Sequence, residues 1–93
     1  GIKVDLTEVE QVLRAHPAVE QAVLVHEDVT EAYVAVAAGA GSPSAEELLR
    51  WCRERLADHK LPRVIRVLDT LPRTSNGKLV RRAATLQAAA SGA

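Results

Sequence analysis

The sequence predicts a small α/β (α+β) domain: a mixed sheet containing a β-hairpin and flanked by about three helices, in the order β-α-β-β-α-β-α. Three observations carry this. Residues 6–13 and 48–56 keep apolar side chains at helical spacing behind capping residues. Val19–His26 and residues 32–38 are apolar runs rich in β-branched residues, joined by a short polar link. A third short apolar run, Val64–Leu68, follows the second helix.

Taken in order, residues 1–6 read as a short strand entering the first helix. Asp5 or Thr7 can cap that helix, and Thr7 with Glu10 three residues later fits a capping box. Leu6, Val9, Val12 and Leu13 form its apolar stripe, and Glu8 and Glu10 lie where the helix dipole favours acid. His16-Pro17 ends it, because proline disfavours helical geometry in the residue before it. The two runs that follow make an antiparallel hairpin across residues 27–31. Their imperfect alternation fits a sheet covered by helices on both faces. Residues 39–43 are a loop, and Ser44 caps the second helix, whose Glu46 is spaced to pair with Arg50. Residues 57–62 form a loop closed by Pro62 before the last strand. Residues 79–90 are helix-compatible, and residues 88–93 read as a frayed tail or linker.

A chain of 93 residues is one domain, 1–93, with room for a single modest core. With no Phe or Met, and Tyr33 and Trp51 the only aromatics, that core is aliphatic. No apolar run approaches the roughly 18–20 residues of a membrane span, and no signal peptide opens the sequence. A lone Cys52 excludes an internal disulfide and fits a reducing, cytoplasmic setting; on an apolar helix face it reads as a core thiol. His16, His26 and His59 are scattered without metal-ligand spacing, so no metal site is expected. Zero net charge and few aromatics argue against nucleic acid. The charge is segregated, however. Ten of the twelve basic residues fall in residues 47–93 and eight of the twelve acidic ones in residues 1–46, so the second half can face an anion.

The stretch with most chemical content is Leu71-Pro72-Arg73-Thr74-Ser75-Asn76-Gly77-Lys78-Leu79-Val80-Arg81-Arg82. Leu-Pro opens it and Asn76-Gly77 suits backbone with positive φ, so a tight turn presents Lys78 immediately afterwards. An ammonium held on a turn meets a carboxylate or phosphate as a compact point charge. Its plain alternative is a solvated turn lysine. Thr74, Ser75 and Asn76 are expected to shape the turn, and Arg81 and Arg82 either to pair with acidic groups across a domain interface or to support the last helix.

This dodecamer resembles the C-terminal lysine motif of the adenylate-forming enzymes: acyl-CoA and aryl-CoA synthetases, luciferases and nonribosomal peptide synthetase adenylation domains. The family pattern is close to Leu-Pro-x-Thr-x-x-Gly-Lys-x-x-Arg, and Leu71, Pro72, Thr74, Gly77, Lys78 and Arg81 match it. Gly1-Ile2-Lys3-Val4 with Glu8-Val9-Glu10 is similar to the segment after the family's interdomain hinge. His16-Pro17-x-Val19 resembles its helix stop and hairpin, and residues 56–62 resemble its acyl-CoA ligase branch.

The resemblance implies the family's small C-terminal domain only. The glycine-rich phosphate loop, adenine-binding segment and acyl pocket belong to a much larger N-terminal domain. The chain is therefore expected to be a fragment, a separately made subdomain or a remnant of a larger protein, inactive alone. The implied reaction joins ATP, with Mg2+ held mostly by the large domain, to a carboxylic acid. The thiol of CoA or of a carrier-protein phosphopantetheine then takes the acyl group. Lys78 would be the catalytic residue, lying between the carboxylate and the α-phosphate. Cofactor contact is assigned to Gly77, and to Gly1 and Lys3, whose segment would line the thiol's tunnel once the small domain has rotated. A terminal glycine and an exposed strand lysine are the plainer readings of those last two. The competing class is a free-standing interaction module of the same fold that binds a carrier or regulatory protein, without membrane or nucleic-acid partners.

Overall fold

Helix α1 (Leu6–Arg14) starts at Asp5, whose carboxylate accepts from the backbone N–H of Thr7 at 3.0 Å and of Glu8 at 3.2 Å. Two donors that the first helical turn leaves unpaired are thereby satisfied. Of the two caps the sequence allows, Asp5 is the one used; Thr7 lies inside the helix, and Glu10 serves a different purpose described below. The computed structural model describes residues 5–37, 39, 41 and 43–91. The strand expected over residues 1–6 falls largely outside them, apart from Asp5, which caps α1, and Leu6, which already belongs to it.

Strands β1 (Val19–His26) and β2 (Thr30–Val36) pair antiparallel, from Val19 opposite Val36 to His26 opposite Thr30, with one irregularity between Val19 and Gln21. Helix α2 (Ala45–Arg53) carries the chain across to β3 (Val64–Leu68), which pairs parallel to β2. The sheet order is β1-β2-β3, so β2 is central. A turn of 3-10 helix, Asp58–Lys60, lies within the expected loop before β3.

Side chains alternate across a strand, and here both faces are covered. On one face α1 and α2 bring Val9, Leu13, Leu48 and Cys52 onto Ala22, Leu24, Ala32, Val34 and Ile65. On the other, Val23, Val25, Tyr33 and Ala35 pack beneath Leu71 and Leu86. This explains the runs of four successive buried residues in β1 and β2, 22–25 and 32–35. A fully buried leucine such as Leu13 contributes about 2–5 kcal/mol relative to alanine. Cys52 is wholly buried, and its surroundings push the thiol up to about 11, as suits a core thiol. Among the described residues no helix is long and apolar enough to cross a membrane.

The two helices on the first face are also joined by polar contacts. The Trp51 indole donates to the Val12 carbonyl at 2.7 Å. His16 accepts the Ala18 N–H on Nδ1 at 3.0 Å, which leaves Nε2 to donate to Glu47 at 3.0 Å. Lys60 pairs with Glu8 at 2.8 Å. The expected Glu46–Arg50 pair is absent among the described residues, and Arg55, just past the helix, lies 3.3 Å over the Trp51 ring instead.

Helix α3 (Ala83–Ser91) begins later than the sequence suggests. Residues 79 and 80 have helix-compatible composition, but their backbone is taken by pairing with residues 72 and 73. At its other end α3 runs through Ser91 rather than fraying from Ala88, since alanine is the best helix former and Ala90 rests on the second core. Leu86 anchors the helix, and Gln87 donates to Glu31 at 3.1 Å.

Glu31 also accepts the Tyr33 hydroxyl at 2.6 Å. Tyr33 and Gln87 together hold its carboxyl below the usual range. Burial first, and the bond to Glu31 second, push the Tyr33 phenol up to about 12. The folded state thus keeps a proton that the unfolded chain loses near pH 10. Its stabilising contribution is complete below about pH 10 and falls as pH rises from there to about 12. Because Tyr33 is the only tyrosine, tyrosinate absorbance reads it directly. The absorbance is expected to rise together with unfolding, and Tyr33→Phe to flatten the stability curve in that window. Free titration near pH 10 with the fold intact would contradict this.

Candidate functional site

The chain leaves β3 and makes a small hairpin over residues 72–80. Its limbs meet in an antiparallel bridge between Arg73 and Leu79, and the Val80 N–H donates to the Pro72 carbonyl at 3.0 Å. Leu71 is buried and Leu79 half-buried against the second core, so the root of the hairpin is fixed by apolar contact.

Thr74 builds the tip. Its carbonyl accepts the Gly77 N–H at 2.9 Å and its own N–H donates to the Lys78 carbonyl at 2.7 Å. Its hydroxyl oxygen accepts the Lys78 N–H at 3.2 Å. Both backbone groups of Lys78 are therefore bonded to one residue. Gly77 takes φ +84°, and no non-glycine residue among those described has positive φ, so Asn76 turns within the ordinary range. The Asn-Gly pair thus uses only its glycine in the left-handed region, as in hairpin loops where a turn is followed by one left-handed residue. The Arg73 guanidinium donates to the Gly77 carbonyl at 2.9 Å and braces the tip from the side.

Lys78 is exposed, and no carboxylate lies within ion-pair distance of it among the described residues. Its backbone is fixed while the residue stays open to solvent. The expectation for Thr74 is met, as it shapes the turn through three hydrogen bonds. Gly1 and Lys3 lie outside the described residues.

Arg81 behaves differently from the reading that sends it across a domain interface. It pairs within the domain, Nη1 to Glu10 Oε2 at 2.6 Å and Nη2 to Oε1 at 3.3 Å. Arg14 Nη2 meets the same Oε1 at 3.0 Å. Glu10 is thus a buried carboxylate shared by two guanidiniums and lies past the first helical turn, where Glu8 is the acid. The sequence held a signal for this: Leu6, Glu10 and Leu13 are spaced by four and three, which sets a carboxylate in the buried stripe. A charge there requires a cation partner. Arg82 is exposed.

Residues 8–78 match the family model described as "AMP-binding enzyme C-terminal domain". The chain is 41% identical over 83 residues to one of the linear gramicidin synthase polypeptides of Brevibacillus parabrevis, covering 89% of this chain and 1% of that protein. An uncharacterized acyl-CoA ligase of Bacillus subtilis is 38% identical over 84 residues, which cover 87% of this chain and 17% of the ligase. Among solved structures, o-succinylbenzoate CoA synthetase from Bacillus subtilis, in complex with its acyl-adenylate intermediate, superimposes with a TM-score of 0.75 at 40% identity. That match covers 90% of this chain and 18% of the synthetase. The amide bond synthetase McbA from Marinactinospora thermotolerans gives a TM-score of 0.76 at 32% identity, covering 88% and 18% respectively. The chain therefore spans less than a fifth of each of these relatives.

A Cβ at Gly77 would meet nothing within 4 Å, so only backbone strain opposes a side chain there. Gly77→Ala is expected to destabilise the domain by about 1–2 kcal/mol. Gly77→Asn should cost less, because asparagine tolerates the left-handed region. Urea denaturation midpoints check this, and equal losses for the two variants would contradict it.

Proposed function

The chain belongs to the AMP-binding enzyme C-terminal domain family, and on that premise we propose that it is the mobile C-terminal lid of an ATP-dependent carboxylate-activating ligase. In this reading it supplies Lys78 as the catalytic residue of the adenylation step and works only with a large N-terminal adenylation subdomain. The observation that carries the proposal is the exposed Lys78, both of whose backbone groups are bonded to Thr74 and whose ammonium faces no carboxylate among the described residues.

The chemistry asks for such a group. A carboxylate must approach the α-phosphate of ATP, and like charges resist the approach. An ammonium between them offsets that repulsion and the charge that develops on the phosphoryl oxygens as they react. In a site closed to water such a donor is worth about 2.7–4 kcal/mol, or 10²–10³ in turnover. Gly77 lets the backbone turn so that the lysine follows directly at the tip. In this reading Mg2+ belongs with the large domain. Among the described residues no group of three or more His, Cys, Asp or Glu side chains is placed to hold a metal.

A thiol then takes the acyl group from the adenylate. That the relatives named above include a gramicidin synthase and CoA ligases supports reading the acceptor as CoA or a carrier-protein phosphopantetheine. The Gly1 and Lys3 segment lines the path of that thiol after the small domain rotates, with Gly1 leaving room for the pantetheine arm. In this reading the reaction runs in the cytoplasm, where ATP is supplied.

The test separates the half-reactions in the full-length protein with its own carboxylic acid. Lys78→Ala is expected to lower ATP–pyrophosphate exchange by about 10²–10³ while thiol capture of preformed acyl-adenylate continues. Unchanged exchange would reduce Lys78 to a turn residue.

A further inference from the structure

We propose that Glu10 and Arg81 are positioning residues for Lys78, their ion pair fastening the root of the lysine hairpin to α1 and setting the direction in which the lysine is presented. The proposal rests on the reading of Lys78 given above.

The location of the charge is the first observation. Glu10 is 4% exposed, on a helix face whose other members are Val9 and Leu13. Desolvating a carboxylate is costly, and only well-placed hydrogen bonds offset it. Arg14 supplies one of them from the same helix, where an i,i+4 partner conveys nothing about the hairpin. Arg81 supplies the others from 71 residues away, through both of its terminal nitrogens. A planar fork on a carboxylate defines orientation as well as distance.

The second observation is that little slack separates Arg81 from Lys78. Of the two intervening residues, Leu79 is bridged to Arg73 and Val80 donates to Pro72. Lys78 itself is bonded twice to Thr74. An orientation imposed at Arg81 is carried along the hairpin to its tip.

The third is the nature of the remaining support. Beneath the hairpin lie Leu71 and Leu79, whose apolar contacts hold it against the sheet. Burial of this kind is non-directional, so it fixes depth far better than rotation. The Glu10–Arg81 fork is the directional element at the root. It also makes α1 and the lysine hairpin one body, so that they move together when the domain rotates.

The experiment uses the full-length protein with its own carboxylic acid. Arg81→Gln and Glu10→Gln are each expected to lower the turnover of ATP–pyrophosphate exchange about 10- to 100-fold. KM for ATP and acid, and capture of preformed acyl-adenylate by thiol, should stay near wild type. Arg81→Lys keeps the charge and loses the fork, so its exchange rate should fall between wild type and Arg81→Gln. A purely structural role would instead reduce both half-reactions in proportion, which would overturn the proposal. Wild-type exchange in Arg81→Gln would overturn it too. Lys78→Ala is measured alongside. If it retains exchange, the reading of Lys78 fails and this proposal falls with it. If it loses exchange while Arg81→Gln keeps it, only the role of the ion pair is refuted.

Discussion

Everything in this domain is arranged around keeping one strand dry on both sides. β2 is central, and its residues alternate between two separate cores, Ala32 and Val34 into one and Tyr33 and Ala35 into the other. A three-stranded sheet offers little area, so each face needs its own cover. Two amphipathic helices provide it on one side. On the other, α3 is too alanine-rich to do so alone, and Leu71 at the entry to the lysine hairpin and Leu79 on its return limb contribute. The segment that carries the candidate chemistry is thus part of the fold's own covering layer. That is why an exposed turn can be held so firmly.

Legibility in the sequence followed the range of the interactions. α1, α2 and β3 were readable because caps and periodicity are local, and Ser44 does accept the Glu47 N–H as the pattern requires. The hairpin link was readable from its polar residues, although Thr30 and Glu31 at its end belong to β2. What was misread involved competition between distant partners. Residues 79–82 look helical by composition, yet the return limb of a hairpin claims the backbone of Leu79 and Val80. Glu10 looks like a dipole-matching acid until Arg81 arrives from the other end of the chain. Lys78 and Gly77 were legible as a turn, because glycine's backbone freedom is a property of the residue itself. The bonds made by Thr74 are not written in any spacing.

The segregation of charge along the chain finds its physical sense in the folded state. Acid from the first half meets base from the second at Glu8–Lys60 and Glu10–Arg81. The first pair, half-buried at the surface, contributes little by itself. The other is of a different kind, since its carboxylate is buried while Arg81 is exposed, and removing Arg81 leaves Glu10 with Arg14 as its remaining partner. Lys60 and Arg81 are engaged in this way, whereas Lys78, like Arg50, Arg53, Arg63, Arg66, Arg73 and Arg82, makes no ion pair with an acid among the described residues.

Position 77 also says something about how this turn can vary. The space where a side chain would project is open, so size is no obstacle, and what the backbone resists is an L-configured Cβ at φ +84°. The turn therefore filters by handedness. A D-alanine introduced there by chemical ligation would satisfy the same dihedral without strain and would restrict the unfolded chain more than glycine does. The lysine would then ride on a turn stiffer than the natural one, its mirror-image neighbour doing what glycine alone among the encoded residues does as freely.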